Sequence, residues 1–281
     1  MNGTDTPQAR ALSEGTARLG TVDLSPGYRE LAPPASLRPA VACVWVRAVA
    51  PAGDRSVLVL PDACSDLIWQ PERGAYVVGP DTGPAPSPVA PGEIMVGVRF
   101  RPGAGGPALG VPLAALLDQR LDAADLAAEL APGPAREQAR GIGAAVPGTL
   151  SPVLALRRLT GLAGAMAAAG PPDPLVQAAV RYLARPGAQA DQAAGDLGVS
   201  ERQLRRRCLA TVGYGPAMLR RVLRFRRFVS ALDAAGGRAG LGLLAAEAGY
   251  ADQAHLTRES GRLAGLTPAA LAVSRHPAAA A

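Results

Sequence analysis

The chain has 281 residues, 48% hydrophobic but only 4% aromatic, with a net charge of +6; that length allows one large domain or two ordinary ones, with a helix-rich core of Leu, Val and Ala. No apolar run approaches the ~20 residues of a membrane helix, and no charged head with an apolar stretch resembles a secretory signal. Cys43, Cys64 and Cys208 are too scattered for a disulfide framework, a zinc site or a redox dithiol, so a reduced, cytoplasmic protein without a membrane partner is expected.

Residues 1–25 mix Thr, Gly, Gln, Arg and Glu without periodicity and predict a flexible tail. From Val41 onward, Val41–Val46, Val57–Leu60, Asp66–Trp69, Tyr76–Val78 and Ile94–Phe100 are short β-rich runs separated by Pro, Gly and Asp. They predict a small mixed or antiparallel sheet, or a partial barrel. Past Arg101-Pro102-Gly103, the stretches Leu113–Leu117, Leu121–Leu130, Ala135–Ala144 and Val153–Ala168 predict Ala/Leu-rich helices broken by Pro and Gly. Gly170-Pro171-Pro172 interrupts the pattern, because proline lacks an N–H and biases its predecessor away from helix. The expected architecture is α+β: an N-terminal sheet-and-helix domain over 26–170, then an all-α domain over 171–281.

The second domain opens with Asp173-Pro174, an N-cap followed by a first-turn proline, and Leu175, Val176, Ala179, Val180 and Leu183 fall on one helical face. Charge separates the two parts. Residues 1–172 hold 14 Arg and 15 acids, whereas residues 173–281 hold 15 Arg and 8 acids, and there is no Lys. A basic domain attracts a polyanion, either nucleic acid or an anionic membrane. An interfacial helix needs aromatic residues opposite its charges, and only Phe225 and Phe228 offer them, which favours nucleic acid.

Two related half-motifs follow. In the first, Ala190 to Leu197 predicts a helix, Gly198-Val199 a turn, and Ser200 the cap of a second helix that turns Leu204 and Cys208 inward. Arg202, Gln203, Arg205, Arg206 and Arg207 then project. In the second, Leu241–Ala248 predicts a helix and Gly249-Tyr250 a turn, after which Gln253, His255, Thr257 and Arg258 project while Tyr250 and Leu256 turn inward. Arginine can bond guanine bidentately and glutamine adenine, so both helices carry residues able to read a major groove. Between them Met218, Val222, Phe225, Val229 and Leu232 repeat at helical spacing and predict a strut. Its Arg220, Arg221, Arg224, Arg226 and Arg227 are equally readable as phosphate anchors or as a solvated face.

These residues resemble the AraC/XylS family of bacterial regulators from about Asp173 to Pro277. The resemblance is carried by Gly198-Val199-Ser200-Glu201-Arg202-Gln203-Leu204-Arg205-Arg206, Val212-Gly213-Tyr214-Gly215-Pro216, Ala248 through Arg258, and Gly265-Leu266-Thr267-Pro268. It implies two helix-turn-helix units joined by a long helix, with base-facing positions at Arg202, Arg205, Arg206, Gln253, His255 and Arg258. The implied partners of a cytoplasmic transcription regulator, expected as an activator although the residues leave the sign open, are double-stranded promoter DNA and RNA polymerase. Ser260 stands where the family buries a Phe, Ala193 where a larger apolar residue is usual, and Ala272 where an Arg often closes the motif.

The first domain resembles a domain of unknown function found ahead of such readers, through Pro61-Asp62, Asp66-Leu67-Ile68, Val78-Gly79-Pro80 and Val96 through Gly103. By analogy it binds a small-molecule effector, mediates homodimerisation, or both. Asp62, Asp66, Arg99 and Arg101 are the candidate effector residues, set against a plainer reading as turn caps and ion pairs. Neither catalysis nor a cofactor is expected, because the domain has only Cys43 and Cys64 and no histidine.

Overall fold

The structure, a computed structural model, describes residues 22–53 and 56–276. The expected tail lies outside the described residues as far as residue 21, but Val22 and Leu24 already pack against the first core, so its predicted limit at residue 25 is too late.

Strands β1 (Gly27–Leu31), β2 (Val41–Ala48), β4 (Ser65–Gln70), β5 (Gly74–Val78), β7 (Ile94–Phe100) and β8 (Arg120–Asp122) form one sheet in the order β1-β2-β7-β4-β5-β8, antiparallel at every pairing. Strands β3 (Ser56–Val59) and β6 (Ala85–Pro88) form a separate two-stranded ribbon. Because side chains alternate along a strand, the sheet has two apolar faces. Val44, Val46, Leu67, Trp69, Val77, Val96, Val98 and Phe100 belong to the core shared with helix α4 (Pro152–Ala169). Cys43, Trp45, Ile68, Tyr76, Val78 and Met95 form a second cluster on the opposite face, against which Val57 of the ribbon packs.

Between β7 and α4 lie α1 (Gly105–Leu109), a 3-10 turn at Leu113–Leu116, α2 (Ala123–Glu129) and α3 (Pro134–Ala145). The helix expected over Leu121–Leu130 is corrected at its start: Leu121 pairs with Val77 in β8, which extends the sheet before the chain turns helical. The stretch expected as a helix at Leu113–Leu117 is the 3-10 turn.

The second domain holds α5 (Pro174–Leu183), α6 (Ala193–Asp196), α7 (Glu201–Thr211), α8 (Pro216–Ala234), α9 (Leu241–Ala248), α10 (Gln253–Ala264) and α11 (Pro268–Arg275). Asp173 caps α5 by accepting from the Leu175 N–H at 2.9 Å. The helix expected over Ala190–Leu197 is a single turn, α6, with Gln192 at its N-cap and Leu197 at its C-cap. Helix α8 spans 19 residues and buries Leu219, Val222, Leu223, Phe225, Phe228 and Leu232 against its neighbours. Its buried stripe is therefore rotated from the predicted one, leaving Met218 and Val229 half-buried.

The two parts touch closely. Ala63, at φ +67°, is buried in the core of the second domain, to which Leu60 and Leu117 also contribute. Gln177 Nε2 donates to the Pro102 carbonyl at 3.0 Å, and Arg226 Nη1 of α8 donates to the Asp62 carbonyl at 3.3 Å. Among the described residues no helix is long and apolar enough to cross a membrane.

Candidate functional site

Each half-motif folds as helix, tight turn, helix. Gly198 ends the first turn at φ +68° and Gly249 the second at φ +84°, a left-handed backbone that glycine adopts without a Cβ penalty. The following helices are capped alike: Ser200 Oγ accepts from the Gln203 N–H at 3.2 Å, and Asp252 Oδ1 from the His255 N–H at 2.6 Å. Leu204 and Cys208 root α7, and Leu256 with Leu263 roots α10, in a single shared core.

What remains outside is basic and polar. Arg202, Arg205 and Arg206 are exposed on α7, with Gln203 half-buried beside them; Gln253, Thr257 and Arg258 are exposed on α10. Two expected projections are turned elsewhere. Arg207 Nη1 bonds both oxygens of Asp173, at 3.1 and 3.2 Å, and so ties α7 to the cap of α5. His255 lies edge-on to Tyr250 at 5.3 Å, with Nε2 3.1 Å from Arg224 Nη2, so its ring faces the strut.

The strut arginines are wired into the scaffold. Arg224, 7% exposed, bonds Glu259 of α10, itself 4% exposed, and lies over the Tyr250 ring at 4.4 Å. Arg221 Nε reaches the other Glu259 oxygen at 2.9 Å. Arg220 donates to the Ala188 carbonyl and Arg227 to that of Ala248. Arg226, whose side chain is exposed, makes the contact to Asp62 across the domains. The predicted choice between phosphate anchors and a solvated face thus misses a third role, holding α10 and the turns to the strut.

In the first domain the second face of the sheet lines a cavity of about 250 Å³. Trp45, Ile68, Tyr76 and Met95 supply apolar walls; Asp66, Arg47, Arg73, Arg99 and Arg120 supply charge. Asp66 Oδ1 accepts from Trp45 Nε1 at 2.7 Å and from Arg99 Nε at 3.2 Å. Burial raises the Asp66 pKa, and the opposing pull of Arg99 does not cancel that effect. Arg99 also approaches Asp62 and Glu30, at 3.4 and 3.6 Å.

Of the four residues expected to meet an effector, Asp66 and Arg99 line the cavity. Asp62 caps the Cys64 N–H, and Arg101 donates to the Arg38 carbonyl at 2.7 Å, so both serve the backbone instead. Trp45, Arg47, Arg73, Tyr76 and Arg120 were missed. Only Trp45 and Tyr76 fall within predicted strands, where reading the in-phase positions as one face would have collected them; Arg47 lies one residue past the first predicted strand, Arg73 in the turn before β5, and Arg120 in the unpredicted β8. All three cysteines are buried, and burial pushes the Cys43 and Cys208 thiols up to about 12, which keeps them protonated.

Residues 193–272 match a helix-turn-helix domain family, and residues 29–122 match a domain of unknown function. No curated protein matches the chain. Two crystal structures of ToxT from Vibrio cholerae are similar at 10% identity. One covers 82% of this chain and 96% of that one with a TM-score of 0.41; the other covers 87% and 97% with a TM-score of 0.42. The two family matches give the chain a helix-turn-helix domain at 193–272, preceded by a domain of the unknown-function family at 29–122.

Proposed function

We propose that the chain is a sequence-specific transcription regulator that sets α7 and α10 into major grooves of promoter DNA, under control of the domain at 26–170. The observation that carries this reading is the division among arginines. Arg202, Arg205, Arg206 and Arg258 stay exposed on capped recognition helices, while Arg207, Arg221 and Arg224 of the same domain are consumed by carboxylates. Phosphate contacts position a reader, and base-edge contacts give it preference.

Replacing Arg206 or Arg258 with Ala is expected to cost about 1–3 kcal/mol on the preferred operator and to relax preference at one base position. Gel shifts on a selected operator and its single-base variants measure both. Equal weakening on every sequence would make the residue a phosphate anchor, and a binding constant insensitive to salt would remove the reading altogether.

Control is assigned to a small-molecule effector in the first-domain cavity. The segment Leu60–Asp66 supports this, because it has Asp66 in the cavity wall, Ala63 in the core of the second domain, and the Asp62 carbonyl on the strut. Arg99 bridges Asp62 and Asp66, so a ligand that shifts Arg99 pulls on the strut's anchor. Dimerisation and contact with RNA polymerase belong to the same reading.

A further inference from the structure

We propose that the cavity takes a small organic monoanion, with an apolar or single-ring body and one acid group, and that Arg47 receives the acid. The proposal rests on the reading of this cavity as the effector site. Among the described residues, four guanidinium groups line it against one carboxylate, Asp66. Three of the four are committed. Arg99 faces Asp66, Asp62 and Glu30; Arg120 Nη2 bonds both oxygens of Asp81 at 3.0 Å; Arg73 bonds Asp122.

Arg47 is the exception. It has no ion pair and no side-chain hydrogen bond among the described residues, and its guanidinium lies 4.9 Å over the Tyr28 ring. It is half-buried, and burial disfavours its charged form. A desolvated cation lacking a counter-charge gains most from an incoming anion. A cationic ligand gains little, because the one carboxylate that the described residues put in the wall already accepts from Trp45 and Arg99.

The body of the ligand follows from the floor. A Cβ at Gly97 would overlap the Trp45 indole, so glycine at that position lets the ring lie flat on the sheet, and Asp66 holds its Nε1. Ile68, Val89 and Met95 complete an apolar surround. A cavity of about 150 Å³ accommodates benzene, so one of about 250 Å³ has room for a ring with a short acid-bearing arm.

The test is calorimetric titration of the full chain with 3-phenylpropanoate and a series of short alkanoates, each against the amide and the amine of the same skeleton. At least one acid is expected to bind, with its amide weaker by about tenfold or more. Arg47→Gln is expected to remove that advantage and leave amide binding unchanged. Arg47→Lys, which keeps the charge, should bind the acid more tightly than Arg47→Gln does. Amides or amines binding as well as acids, or acid binding that Arg47→Gln leaves intact, would overturn the anion assignment while the effector cavity stands. Binding by no member of the three series would overturn both.

Discussion

Asp81 shows how much one buried carboxyl depends on its surroundings. It is 6% exposed and lies beside Pro80, against which Gly213 of the second domain packs, and Arg120 bonds both its oxygens. Burial nevertheless outweighs the arginine and raises its pKa from the usual 3.8 to about 6. Between those two values the folded chain holds a proton that the unfolded chain releases. This group's contribution to stability is therefore full below about pH 4 and is lost as pH rises through 6. Asp81→Asn cannot titrate. The melting temperature of the parent, measured relative to that variant, should fall from pH 4 to pH 7 and stay level above; a constant difference would show that Asp81 ionises as it does in water. Ser260 makes a related point, because a small polar residue where the family buries a phenyl ring stays fully buried by donating its Oγ–H to the Leu266 carbonyl at 2.8 Å.

At the scale of elements, α8 and α10 are joined by a buried ion pair more than by apolar contact alone. Arg224 and Glu259 are both under 9% exposed, Arg221 adds a second bond to the same carboxylate, and His255 and Tyr250 pack on the cluster. Removing one member of such a pair strands the other charge away from water, at a typical cost of about 3–5 kcal/mol. Glu259→Ala should therefore lower stability by that order in urea unfolding, far more than loss of the exposed Arg140–Glu137 pair, for which the two side chains are 54% and 68% exposed. A loss below about 1 kcal/mol would mean that the cluster opens to solvent. The sequence made α8 legible through the helical spacing of Met218, Val222, Phe225, Val229 and Leu232, and α10 through the turn at Gly249-Tyr250 that precedes it. It did not reveal their connection, because a charged residue at a solvent-face position and one that reaches across to a partner helix have the same spacing. Strands β1, β6 and β8 were missed for a comparable reason. They are three to five residues long and half-buried or exposed, too short for alternation to stand out, and their place in a sheet is fixed by partners distant in sequence. The cavity was out of reach for the same cause, since its wall draws on strands whose order in the sheet is not their order in the chain.

For the molecule as a whole, α7, the first of the two helices proposed to read DNA, is also the surface on which the N-terminal domain docks. The last turn of α7 lies against α1, where a Cβ at Gly106 would stand 2.5 Å from the Ala210 carbonyl oxygen and 3.0 Å from the Thr211 Cα. Tyr214, which follows α7, is almost wholly buried within electrostatic reach of Asp62, Cys64 and Asp81. Gly106 is thus a place where one methyl group can act as a wedge. It sits in a short helix with an ordinary φ, where alanine is the better helix former, and within its own domain the added Cβ meets the Val111 carbonyl oxygen at 3.3 Å, a milder contact than the one with α7. The conflict falls on α7, whose Arg202, Arg205 and Arg206 lie in the preceding turns of the same helix. Gly106→Ala should therefore leave the fold cooperative, increase proteolysis between residues 169 and 174, and change operator affinity or its response to a cavity ligand, with every proposed DNA contact unaltered in sequence. Gly213→Ala is a poorer probe, because φ +95° at that residue adds backbone strain to any wedge effect. Gel shifts of parent and Gly106→Ala, with and without a bound cavity ligand, decide the matter. Identical affinities and identical responses would mean that docking restrains α7 without controlling it, and the route from cavity to DNA would then have to run through Arg226 and the strut alone.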